Sequence, residues 1–137
     1  ILYIIMKQVI QSLRSGKTSL IDTPVPKVSP DTILIKSSKT LVSSGTEKML
    51  IDFGKSNLLK KAYKQPEKVK MVLNKIQTDG LQPTIETVFN KLNQPIPLGY
   101  CNVGKAVDIG SNIRNFSVGD RIVSNGSHAE FVNVPKN

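Results

Sequence analysis

Two glycine–lysine runs are the first places where residue types and spacing suggest chemistry. Gly99-Tyr100-Cys101-Asn102-Val103-Gly104-Lys105-Ala106 stands one residue away from a phosphate-binding loop, in which backbone N–H groups cradle phosphates and a final hydroxyl residue holds magnesium. Ala106 has no hydroxyl, and Ala106-Val107-Asp108-Ile109 reads as a strand where such a loop should open a helix. Gly16-Lys17-Thr18 fails as well, because Gln11 occupies the place of the required first glycine. No Gly-x-Gly-x-x-Gly occurs, so the chain carries no dinucleotide fingerprint, and a nicotinamide cofactor would need another domain. The one histidine, His128, and the one cysteine, Cys101, have no companions at a metal-ligand spacing. They read as a structural or surface imidazole and a packed or pocket-lining thiol, with no metal site.

The elements that must position these residues follow from pattern. The chain has 137 residues, 39% of them apolar and 21% charged, which suits one globular domain or a piece of a larger protein and excludes disorder and collagen-like repeats. A single cysteine excludes a disulfide-stapled scaffold and fits a reducing, cytoplasmic setting. From 6 to 43, short β-branched runs alternate with turn residues, and Ile33 and Ile35 should face one side of a strand with Leu34 and Lys36 on the other. The period then changes. Val69, Val72, Leu73 and Ile76 fall at helical spacing between Pro66 and Asp79-Gly80, and Ile85, Val88, Phe89 and Leu92 repeat it after Pro83. Leu58, Leu59, Ala62 and Tyr63 suggest a third, weaker helix before Pro66, and Pro95 and Pro97 close the insert. From Gly99 onward strand signals return. A β-rich domain with a helical insert over about 51–94 is therefore predicted.

The net charge is +9, and seven lysines face only Asp52 and Glu67 between Asp52 and Lys75. A local excess of this kind raises the possibility of a stand-alone module that binds nucleic acid or another polyanion. Against it, the stretch contains no arginine and one aromatic residue, Tyr63, whereas base stacking and bidentate readout favour both. Lysines coating the wet face of amphipathic helices are the plainer explanation. The apolar start Ile1-Leu2-Tyr3-Ile4-Ile5-Met6 is far shorter than the roughly 20 residues that span a bilayer, so no membrane partner is expected, and Met6 reads as a natural start.

One ordered set of blocks rises above this background: Ser44-Gly45-Thr46-Glu47, Pro97-Leu98-Gly99-Tyr100-Cys101-Asn102-Val103-Gly104, Val107-Asp108-Ile109-Gly110, Phe116-Ser117-Val118-Gly119-Asp120-Arg121-Ile122, and Gly126-Ser127-His128-Ala129-Glu130-Phe131 before Val134-Pro135. Together they resemble the N-terminal, GroES-like domain of the medium-chain dehydrogenases/reductases, the zinc-type alcohol dehydrogenase superfamily. The resemblance covers nearly all of the chain outside the insert and implies a mainly β fold, a partly open GroES-like barrel. Gly104 should let one strand pass close to its neighbour, Gly110 should take a turn conformation costly for other residues, and Gly119-Asp120 should form a tight turn.

The resemblance also implies roles. Zinc-dependent members hold their metal with a cysteine where Ser44 stands and a histidine in a Gly-His-Glu motif where Tyr100-Cys101 follows Gly99. Hydroxyls are poor substitutes for thiolate and imidazole on zinc, so a zinc-independent branch is expected. Thr46 matches the hydroxyl that relays a proton from a substrate alcohol, with Ser44 and Tyr100 as further catalytic candidates and Glu47, Cys101 and His128 as substrate-binding ones. The alternative for Thr46 is a residue that merely closes a turn after Gly45. Family members continue past the position of Asn137 into a Rossmann domain that binds NAD(P), so the resemblance implies that residues 1–137 are the substrate-side part of a longer, cytoplasmic enzyme that could assemble as a homo-oligomer and is inactive without its partner domain. Asp52-Phe53-Gly54-Lys55, Gln65-Pro66-Glu67-Lys68-Val69-Lys70 and Thr78-Asp79-Gly80-Leu81 resemble a bacterial subgroup tied to polysaccharide and sugar biosynthesis, implying a sugar or nucleotide-sugar substrate.

Overall fold

A computed structural model describes residues 5–136; the first four residues, in which part of the apolar start lies, fall outside it. The elements in chain order are strands β1 (Ile5–Ser12), β2 (Thr18–Pro24) and β3 (Thr32–Thr40), helices α1 (Ser44–Lys55), α2 (Leu58–Lys64), α3 (Pro66–Asp79) and α4 (Leu81–Asn93), and strands β4 (Pro95–Pro97), β5 (Asn102–Ile109), β6 (Arg121–Ser124) and β7 (Phe131–Pro135). The strands form two sheets, of order β2-β1-β4 and β6-β5-β3-β7. In the second sheet β3 runs antiparallel to both β5 and β7. The sheets do not close on each other through a continuous ladder, as a partly open GroES-like domain requires.

The chain divides into two compact units. The first holds residues 5–10, 19–47 and 97–136; the second holds 11–18 and 48–96.

The core belongs to the first unit. Ile33 and Ile35 pack with Ala106, Ile113, Ile122, Val132 and Val134 on one side of β3, and Leu34 packs with Met6 and Phe131 on the other. The alternation expected of this strand is thus real, with apolar partners on both faces. At about 1.5–3 kcal/mol for each large side chain withdrawn from water, these residues carry the unit's stability.

Gly104 explains how β3 and β5 approach. A Cβ built there would lie 2.1 Å from the Lys36 carbonyl oxygen and 2.6 Å from Ile35 Cγ2, so only glycine fits. Gly110 departs from expectation: its φ is not positive, and its side chain is excluded because a Cβ would meet the Ser29 carbonyl oxygen at 2.2 Å. The turn at Gly119-Asp120 forms as predicted, with φ +98° at Gly119 and the Ser117 N–H donating to Asp120 Oδ2 at 2.8 Å.

The helical unit is built differently. None of the fully buried apolar residues comes from it, and Leu59 and Tyr63 are 82% and 90% exposed. Val69, Val72 and Ile76 are half-buried as their spacing suggests, whereas Leu73 and Ile85 lie exposed. Pro66 opens α3 at its first turn and Gly80 ends it, both as predicted. Polar contacts hold the rest. The Gln11 side chain donates to the Leu50 carbonyl at 2.8 Å, and the buried Lys61 ammonium donates to the carbonyls of Gly54 at 2.9 Å and Arg14 at 3.0 Å. Loss of water around Lys61 pushes its pKa down. Most lysines of the insert coat the wet faces of the helices, and Lys61 is the exception.

Candidate functional site

The block Ser44-Gly45-Thr46-Glu47 forms the first turn of α1, whereas the sequence pattern placed the first helix beyond residue 51. Ser43 and Glu47 start the helix by a reciprocal cap. The Thr46 N–H donates to Ser43 Oγ at 3.4 Å, and the Ser43 N–H donates to Glu47 Oε1 at 3.1 Å. The glycine at 45 and the spacing of four rather than three between the capping partners hide this helix from pattern reading. Ser44 and Thr46 themselves are exposed.

Glu47 is the buried member of the turn. Its Oε1 lies 3.0 Å from His128 Nε2, and each of the two side chains is 10% exposed. The sequence reading gave His128 no acidic partner. The structure supplies one from 81 positions away, a separation that no spacing rule reveals. A carboxylate only accepts, so in this contact Nε2 carries the donated N–H. Nδ1 is buried without a hydrogen-bond partner.

The imidazole is fixed by its own backbone. The His128 N–H donates to the Leu98 carbonyl at 2.7 Å, and its carbonyl accepts from the Val9 N–H at 2.9 Å. Against its ring lies Gly99, at φ +92°, where a Cβ would stand 2.7 Å from both Cγ and Nδ1 of His128. Gly99 therefore serves twice: it accepts a backbone conformation that disfavours other residues, and it leaves room for the ring. The next residues are the sequence candidates Tyr100, 47% exposed, and Cys101, half-buried and free of disulfides. Cys101 also ties this segment to the end of β3, its carbonyl accepting from the Leu41 N–H at 3.0 Å.

Three blocks distant in sequence therefore meet: the α1 turn with Ser44 and Thr46, the Gly99-Tyr100-Cys101 segment, and His128. Of the six candidates, Ser44, Thr46 and Tyr100 present accessible hydroxyls, while Glu47 and His128 are engaged with each other. Pattern reading missed one residue here. Asn102 is fully buried and donates from Nδ2 to Ser37 Oγ at 2.7 Å, bracing the start of β5; its place in the Gly99–Gly104 run was the only hint. Among the described residues no three of His, Cys, Asp and Glu gather as a metal-ligand group, and no helix is long and apolar enough to cross a membrane.

No protein-family model matches the chain, and no curated protein matches it by sequence. Solved structures do match. The quinone oxidoreductase of Coxiella burnetii is similar over 96% of this chain and 35% of its own, with 20% identity and a TM-score of 0.58. An alcohol dehydrogenase superfamily protein from Novosphingobium aromaticivorans matches over 95% and 32%, at 16% identity and a TM-score of 0.59. The 2-octenoyl-CoA carboxylase reductase CinF, solved with NADP and 2-octenoyl-CoA, matches over 98% and 36%, at 12% identity and a TM-score of 0.59. At these identities the likeness establishes architecture: the chain spans about a third of the length of these oxidoreductases and shares the fold of that third.

Proposed function

We propose that this chain is the substrate-side part of an NAD(P)-dependent oxidoreductase of the medium-chain dehydrogenase/reductase superfamily, acting on an alcohol or carbonyl without zinc. The observation that carries this reading is the meeting of the Ser44–Thr46 turn with the Gly99-Tyr100 segment through Glu47 and His128, on a fold that quinone oxidoreductases and alcohol dehydrogenase-like proteins share. The residues present do not form a dinucleotide cradle, so the cofactor is assigned to a C-terminal Rossmann partner, where its nicotinamide ring supplies or accepts the hydride. Zinc independence is supported by donor chemistry, with neutral hydroxyls at Ser44 and Tyr100 in place of thiolate and imidazole.

In this reading Thr46 hydrogen-bonds the reacting oxygen, donating to a carbonyl or accepting from an alcohol, and Tyr100 and Ser44 offer further donors to the same oxygen. Cys101 lines the approach, and Glu47 and His128 act from behind the turn. The substrate class proposed first is a sugar or nucleotide-sugar, supported by the resemblance of the insert blocks and by the lysines that could attract its phosphates. The test is NAD(P)H consumption by the complete enzyme against quinones, aldehydes and nucleotide-sugars. Turnover that Thr46→Val cuts steeply supports the assignment. Turnover insensitive to Thr46 overturns the role of that hydroxyl, and salt-sensitive binding of RNA or DNA without any reductase activity overturns the function.

A further inference from the structure

We infer that Glu47 and His128 are a positioning pair, in which the carboxylate fixes the imidazole as its Nε2–H tautomer and thereby locks the hydroxyl-bearing first turn of α1 to the Leu98–Gly99 backbone. The inference rests on the reading of this site as the catalytic one, yet its geometry stands independently. Ser44 and Thr46 are exposed, so nothing in their own side chains sets where their hydroxyls point. Glu47 is the buried residue of that turn, and its Oε1 takes two donors at once, the Ser43 N–H at 3.1 Å and His128 Nε2–H at 3.0 Å. One bond starts the helix and the other anchors it.

The anchor does not move easily. His128 is held through its own N–H and carbonyl by Leu98 and Val9, and the face of its ring is pressed on Gly99. The Nδ1–H tautomer would bury an N–H with no acceptor and set a bare nitrogen against the carboxylate, and a flipped ring would put a carbon there instead of a donor. In this proposal both residues, expected from sequence to bind substrate, serve as positioning groups. They act through Thr46 and Ser44 from beneath, and a side chain larger than hydrogen at residue 99 would displace the ring.

Because His128 is the only histidine, a ¹⁵N-labelled sample of the chain gives one imidazole and an unambiguous tautomer by long-range ¹H–¹⁵N correlation. The expected result is the Nε2–H pattern in the parent, lost in Glu47→Leu and retained in Glu47→Gln, whose amide oxygen still accepts. Amide exchange at Thr46 and Glu47 should accelerate at least tenfold in Glu47→Leu and in His128→Phe, while β5 and β7 amides confirm that the fold is kept. In the complete enzyme, His128→Phe should lower kcat more than tenfold with KM within about twofold, and Glu47→Gln should recover most of it.

A parent imidazole that averages between tautomers or shows Nδ1–H overturns the pair, as does unchanged exchange at Thr46 in Glu47→Leu. A wild-type enzyme with no reductase activity but a fixed Nε2–H tautomer overturns the proposed function and leaves the pair standing, so the two failures are distinguishable.

Discussion

Replacing Gly104 with alanine should destabilise the sheet unit by about 3 kcal/mol, near the upper end for overpacking a core. The obstacle is backbone. The new methyl would sit 2.1 Å from the Lys36 carbonyl oxygen, inside the 3.0 Å that real Cβ contacts respect, and a carbonyl held in the ladder cannot rotate away. β3 and β5 would have to part by about an ångström where Lys36 pairs with Lys105 and Ser37 with Gly104, in the central strand pair of the four-stranded sheet. Two other glycines calibrate the figure. Gly119 has open space around it but φ +98°, so alanine there should cost only the strain of a left-handed backbone, about 1–2 kcal/mol. Gly45 has open space, lies in α1 and has no positive φ, so Gly45→Ala should be neutral or stabilising, by up to about 1 kcal/mol. Urea unfolding followed at the amide signals of β3 and β5 reads this ladder directly. With slopes of about 1–3 kcal/mol per molar, Gly104→Ala should lower the midpoint by about 1–3 M. A midpoint for Gly104→Ala equal to that of Gly119→Ala would show that β3 and β5 are not as close as described and would refute the reasoning.

The remaining expectations concern the hydroxyl turn and the charges of the helical unit. Under the proposed function, Thr46→Val should reduce kcat of the complete protein about 10²-fold or more, the scale of a lost proton-handling group, with folding unchanged by circular dichroism. Lys61→Met should destabilise the helical unit by about 1.5–3 kcal/mol, because the carbonyls of Gly54 and Arg14 lose a charged donor; unaltered unfolding of α2 and α3 would contradict that role. Burial lowers the Lys61 pKa in the folded state, so the native unit sheds this proton before the unfolded chain does. Its stability should therefore rise with pH as the ordinary lysine value of 10.5 is approached, an effect absent in Lys61→Met by pH-dependent urea titration. On α3, hydrogen bonds from Lys75 and Thr78 hold the Asp79 carboxyl below its ordinary 3.8. The small stabilisation it gives is present above that value and fades as pH falls through the folded one. Lys75→Gln should bring the Asp79 titration seen by NMR back toward 3.8.

The parts of this molecule that pattern reading anticipated are those governed by local periodicity or by backbone crowding. Alternation in Ile33-Leu34-Ile35 located the core strand, Pro66 and Gly80 bounded α3, and Gly104 announced a close strand pair. What it missed depends on contacts far apart in sequence. The first turn of α1 is stabilised through Glu47 and His128, and the residues around Gly45 give little helical signal by themselves. Short β4 lies between two prolines that read only as breakers, yet it borders β1 in its sheet. Gly110 was assigned the wrong reason, since crowding by the Ser29 carbonyl cannot be seen without the fold. For the candidate site, which side chains face outward and which are buried against each other depends on contacts between distant segments, which residue types alone do not show.

The absence of fully buried apolar side chains among the helices has an evolutionary corollary. Amides there should open to solvent long before those of the sheet, through fluctuations that leave the strands intact. Sequence drift, lengthening or trimming in that segment would then be tolerated at little penalty to the sheet unit, making the insert the natural place for relatives to diverge while the sheet scaffold stays recognisable.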